Sequence, residues 1–169
     1  MASNMDMQKR YWHEMVQVKF SVYYVDQYYG NSVKIDRRLN MFLAIVACGS
    51  IAGWAIWNKF ALIWACIVAL SQVINVLKPY LPYSKRVELL QKYYIDSSLL
   101  YAKMEYDWLN VANGSLTENE INDVLFKYVS EEITFPGKYL VDDYLTKNDR
   151  CKEKADELTN EYFKKNFWE

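Results

Sequence analysis

Few side chains in this sequence are placed to do covalent or acid–base chemistry together. His13 is its one histidine, and no cysteine, aspartate or second histidine stands near it at a metal-ligand spacing. Glu131-Glu132 and Asp142-Asp143 are adjacent carboxylates. Neighbours on a helix point roughly 100° apart, so neither pair converges on one cation, and both read as solvated charges. No glycine-rich phosphate loop, nucleophile elbow or C-x-x-C is present. Cys48, Cys66 and Cys151 have no paired spacing and read as quiet thiols of a reducing compartment. Asn113-Gly-Ser115 matches a glycosylation acceptor, which the orientation derived below makes incidental. The expectation is a protein that is not an enzyme and that needs no metal or cofactor.

The remaining polar chemistry is that of binding. Ser71, Gln72 and Asn75 interrupt an apolar run, with Ser71 and Asn75 four apart on one helical face, and Asn40 interrupts another. Polar groups among apolar ones need partners. Two readings stay open for them: hydrogen bonding between two helices, or lining a water-filled path in an oligomer, since two helices alone enclose no pore. A second set is basic. Arg37, Arg38, Lys78, Lys85 and Arg86, with Tyr83, flank the apolar runs as a collar suited to anionic lipid or to a phosphorylated ligand.

The segment that must position both sets runs from Leu39 to Leu77. It consists of two uncharged arms, 39–57 and 60–77, joined by Asn58-Lys59. Arms of about 18–19 residues approach the ~30 Å of a hydrocarbon core, so the pattern predicts a transmembrane hairpin. Gly49 and Gly53 on the first arm, and Ala61, Ala65 and Ala69 on the second, put small residues at four-residue intervals. Such faces suit a hairpin closing on itself, assembly with copies, or both. Trp54, Trp57, Phe60 and Trp64 ring the tip, and Tyr80 and Tyr83 stand at the far end, as in aromatic interface belts. Basic residues beside the outer ends outnumber the single Lys59 at the tip, which predicts an inner-membrane protein with both termini cytoplasmic. No cleavable secretory signal is expected, because the first ~36 residues are charged and lack an apolar core. A net charge of −1 argues against DNA or RNA as a partner.

Around the hairpin the sequence is helical and rich in aromatics, with fifteen tyrosines and six tryptophans in 169 residues. Tyr11, Met15, Val18, Val22, Val25 and Tyr29 recur in steps of four and three, a narrow seam for packing against another helix. Gly30-Asn31 is read as a break after it. Pro79 and Pro82 stop the second arm. A helix then runs from about Ser84 to Asn113 with a matching seam: Val87, Leu90, Tyr94, Ser97, Tyr101, Met104, Trp108 and Val111. Gly114 caps its end. The two seams are expected to pair antiparallel as a stalk. Thr117-Glu-Asn-Glu120 is a capping box opening a helix to about Glu132, which Pro136-Gly137 is expected to interrupt before a short piece near Tyr139–Leu145. A final helix covers about Asn148 to Phe167.

These elements give an all-α membrane protein read as one effector domain: an N-terminal amphipathic helix (1–38), a hairpin (39–77) and a cytoplasmic helical region (78–169). A tyrosine-rich first helix, the Arg37-Arg38-Leu39-Asn40 lead-in, a tight hairpin and tyrosine-rich later helices resemble the SLATT domains, the SMODS- and SLOG-associating two-transmembrane effectors of bacteria. The resemblance covers nearly the whole chain and rests on architecture, with no catalytic motif to carry over. It implies an antiphage effector that oligomerises and permeabilises or depolarises the inner membrane. Control would come from a nucleotide second messenger, such as a cyclic oligonucleotide, or from a partner protein. The alternatives are a membrane-anchored scaffold or adaptor and a holin-like protein.

Overall fold

Five helices are present among the described residues. In the computed structural model these are α1 (Ala2–Ile56), α2 (Ala61–Leu77), α3 (Tyr83–Ala112), α4 (Glu118–Tyr139) and α5 (Asp149–Phe167). The structure describes residues 2–56, 61–77, 83–141 and 145–168, without the side chains of 2–4, 48–56, 61 and 83–84. No strand occurs among the described residues, so the chain is all-helical as its pattern predicts. The chain divides into two compact units, one of Met1–Tyr29 with Leu89–Glu169 and one of Gly30–Glu88.

The first unit is an up-down-up-down bundle of four helical segments. Gln8 Nε2 donates to the Val111 carbonyl at 2.8 Å and the Tyr11 hydroxyl to that of Met104 at 3.0 Å, while Lys19 lies over the Tyr101 ring. Rising numbers on α1 therefore meet falling numbers on α3, and the two are antiparallel. Tyr128 to Asp107 and Tyr139 to Asp96 fix α4 antiparallel to α3. Trp12 against Phe163 and Phe167, with Tyr24 beside Thr146 and Asn148, does the same for α5 and α1. The core takes Tyr11, Met15, Val18, Val22 and Val25 from the α1 seam and Leu90, Ser97, Tyr101, Met104 and Val111 from α3. Tyr93 and Leu100, off the α3 seam, are also buried, because α3 meets helices on more than one side. Full burial of each Leu, Met or Val contributes roughly 1.5–3 kcal/mol relative to exposure.

The α3–α4 connection is closed by chemistry legible in the sequence. Gly114 has φ +69°, its N–H donates to the Val111 carbonyl at 3.2 Å, and the Ser115 N–H donates to that of Asn110 at 3.1 Å. That is the paired Schellman pattern, which glycine enters without a Cβ penalty. Two residues later, Thr117 Oγ1 accepts from the Glu120 N–H, and the Glu120 carboxylate accepts from the Thr117 N–H at 2.7 Å. The Asn148 side chain likewise caps α5 by accepting from the Cys151 N–H.

Two predicted breaks are absent. α1 passes through Gly30 and Asn31 without interruption. A lone glycine weakens a helix by only about 1 kcal/mol relative to alanine, and helical residues on both sides outweigh that. α4 likewise runs through Pro136 and Gly137 to Tyr139. Proline there removes one backbone donor within the last turn, while Phe135 and Tyr139 are buried against Tyr93 and hold that turn in place. The piece predicted at Tyr139–Leu145 is therefore the end of α4, with Leu140 as its cap, and 142–144 lie outside the described residues.

The second unit holds the later part of α1, all of α2 and the first residues of α3. Ser32, Val46 and Ser71 are buried within the chain. Here the expected localisation is corrected: among the described residues, no helix is long and apolar enough to cross a membrane. α2 has 17 residues. At ~1.5 Å each they reach roughly 25 Å, short of a ~30 Å hydrocarbon core. The two-span inner-membrane arrangement with cytoplasmic termini is withdrawn on that finding.

Candidate functional site

α2 carries no charged residue, and most of its large side chains face outward. Leu62 is 80 % and Val76 66 % exposed, with Ile63, Leu70, Val73 and Leu77 about half exposed. Ala65 and Ala69 lie on the surface among them, as does Cys66, while the side chain of Ala61 and the surroundings of Gly49 and Gly53 lie outside the described residues. Contiguous exposed apolar surface of this kind marks an interaction face.

The polar set is not drawn into one cluster. The buried Ser71 hydroxyl donates to the Val68 carbonyl of its own helix at 2.7 Å. Gln72 and Asn75 are exposed on α2, and Asn40 is exposed on α1, donating to the Asp36 carboxylate one turn earlier at 2.9 Å. Of the basic set, Arg37 and Arg38 are exposed on α1, and Lys85 and the half-buried Arg86 stand in the opening turns of α3. Lys78 and the side chain of Tyr83 lie outside the described residues, as do Trp57, Phe60, Tyr80 and Asp142-Asp143 and the side chain of Trp54.

The four-helix unit contains three clusters that the sequence pattern does not reveal. In the first, the Lys19 ammonium sits 3.6 Å from the centre of the Tyr162 ring, 4.0 Å from Tyr101 and 5.1 Å from Tyr23. The hydroxyls of Tyr101 and Tyr162 both donate to Glu105 Oε1, at 3.1 and 2.5 Å. One cation, three rings and one carboxylate thus tie α1, α3 and α5 together. Burial lowers the Lys19 pKa against the opposing pull of Glu105, and burial with the Glu105 hydrogen bond pushes Tyr162 up to about 12. In the second cluster Asp96 accepts from Lys138 at 2.8 Å and from Tyr139, and these bonds hold its carboxyl below the usual range. In the third, Glu132 is raised by burial and then by Glu14, with a Ser21 hydrogen bond opposing. Each joins residues far apart in the sequence, and of their members only Tyr101 lies on the α1 or α3 seam.

At the end of the same unit where α1 begins and α5 finishes, Met5, Gln8, Lys9, Trp12, Trp108, Phe167 and Trp168 line an open cleft of about 440 Å³. Trp12 is seated against Trp108 at 5.0 Å and against Phe163 and Phe167 at 5.1 Å, and Trp108 stacks on Tyr11 at 6.0 Å. A concave, aromatic-walled cleft of a few hundred cubic ångströms is the usual form of a small-ligand site. Among the described residues, no group of three or more His, Cys, Asp or Glu is arranged to hold a metal.

No family model, curated protein or solved structure matches this chain.

Proposed function

We propose that the chain is a non-enzymatic helical effector or adaptor that self-associates through α2 and receives its signal on the four-helix unit. The carrying observation is α2 itself, an uncharged helix whose leucine, isoleucine and valine side chains stand largely in solvent. Left in water, such a face is an aggregation liability, and covering it is favourable at about 25 cal/mol per Å² of apolar area. The occupant we assign is a second copy of the chain. α2 has no charge to pair with a polar partner, and Ala65 and Ala69 leave room between the larger side chains for close helix contact. The SLATT resemblance supports the further reading of a bacterial antiphage effector governed by a nucleotide second messenger or a partner protein. The proposal requires no membrane span.

Light scattering coupled to size-exclusion chromatography tests it. The expected result is an oligomer for the natural sequence. A Leu62→Lys/Val76→Lys variant, altered only at exposed positions, should be monomeric with unchanged helical circular dichroism. A monomeric natural chain at tens of micromolar would sink the reading.

A further inference from the structure

The aromatic cleft at the end of the four-helix unit has the chemistry of a particular ligand class. Its walls are three indoles and one phenyl ring, and Lys9 is the one charged side chain lining it. Two of the indoles are fixed in place: Trp12 is wedged between Trp108 and the phenyl rings of Phe163 and Phe167, and Trp108 is backed by Tyr11. Gln8 is held by its bond to Val111, which uses one amide hydrogen and leaves its carbonyl oxygen as an acceptor. Trp168 is 69 % exposed and stands at the cleft's rim as a third indole. Pre-set aromatic faces attract flat rings, and any nucleobase offers such a face. A lysine beside them attracts an anion, and Lys9 makes no ion pair with any described residue. The cleft is too small for a partner helix, which is about 10–12 Å across, and well sized for one base with its sugar and phosphate.

We propose that this cleft binds a planar aromatic anion of the nucleotide class, with the ring stacked among Trp12, Trp108 and Trp168 and the phosphate held by Lys9. The inference deepens the reading that the four-helix unit receives a nucleotide signal, and it assigns that signal a place away from the Arg37, Arg38, Lys85 and Arg86 set. The Gln8 carbonyl oxygen is an acceptor for an exocyclic amine, which adenine, cytosine and guanine carry and uracil lacks.

Calorimetric titration of the full chain with AMP, adenosine and inorganic phosphate tests this. AMP should bind saturably, and adenosine and phosphate should each bind at least about tenfold more weakly, since each lacks one half of the recognition. Lys9→Gln, at an exposed position, should bring AMP down toward adenosine and leave adenosine unchanged. Trp168→Ala, also exposed, should weaken both. Phosphate binding as tightly as AMP would reduce the site to adventitious anion capture and overturn the proposal, as would a titration with no saturable AMP heat. Light scattering on the same samples separates the two readings. AMP binding by a monomer removes the assembly and keeps the cleft, and an oligomer indifferent to AMP does the reverse.

Discussion

Glu132 shows how a single side chain can work against the fold that contains it. Burial in the four-helix unit, together with the nearby Glu14, raises its pKa above the ordinary 4.5, and the Ser21 hydroxyl only partly offsets this. The folded state therefore holds that proton more tightly than the unfolded chain does. The associated stability is fully present below about pH 4.5 and is lost as pH rises through the raised value. Glu132→Gln keeps a group able to bond Ser21 and removes the charge. Its melting temperature should exceed that of the natural chain at pH 7, and the gap should close on acidification toward pH 4.5. A constant gap across that range, followed by circular dichroism, would show that the carboxylate charge is not the cause. Asp96 works in the opposite direction, since the bonds from Lys138 and Tyr139 stabilise its charged form and weaken as pH falls. None of these roles was legible in the sequence. Glu132 reads as one of two solvated carboxylates, and Lys19 belongs to no motif or seam. Only the fold brings positions 19, 101, 105 and 162 together.

At the scale of elements the sequence was most legible where a motif carries its own mechanism. The capping box at Thr117, the glycine at 114 and the 3–4 spacing of the α1 and α3 seams are each enforced by local geometry, and each appears as read. Gly30 and Pro136 were misread, because breakers act by small local costs that neighbouring burial overrides. The two glycines make a controlled contrast. A Cβ at Gly30 would meet nothing within 4 Å in an ordinary helical backbone, whereas Gly114 sits at φ +69°. Gly30→Ala should stabilise the chain by about 0.5–1 kcal/mol, and Gly114→Ala should destabilise it by about 1 kcal/mol. Urea denaturation reads both, and a destabilised Gly30→Ala would mean that the helix gains something from its glycine. The apolar arms were legible as apolar, but apolarity alone does not distinguish lipid from a protein neighbour. Among the described residues, no helix is both long and apolar enough to span.

Over the whole molecule, the pattern of separations within the four-helix unit is uneven. Hydrogen bonds between α3 and α4 join residues 21 to 43 apart, such as Tyr128 with Asp107, Lys103 with Glu131 and Tyr139 with Asp96. The hydrogen bonds that α1 makes to other helices bridge 93 to 124 positions, from Tyr11 with Met104 to Tyr24 with Asn148. The sequence paired the α1 and α3 seams antiparallel, as the structure has them, but periodicity contains no information about where α4 and α5 dock. The tight closure between Val111 and Glu120 has a consequence for the order in which the unit assembles. Loop closure costs less entropy for nearer residues, so the α3–α4 hairpin forms its contacts first and offers a surface on which α1 and α5 dock later. In stopped-flow refolding, Leu125→Ala on α4 should slow folding, with a φ-value of about 0.5–0.8. Phe163→Leu on α5 should chiefly speed unfolding, with a φ-value of about 0–0.3. The reverse ranking would place the nucleus at the chain termini. Under the expected order, the aromatic cleft, built from both ends of the chain, is the last part of the bundle to exist and the first to be lost.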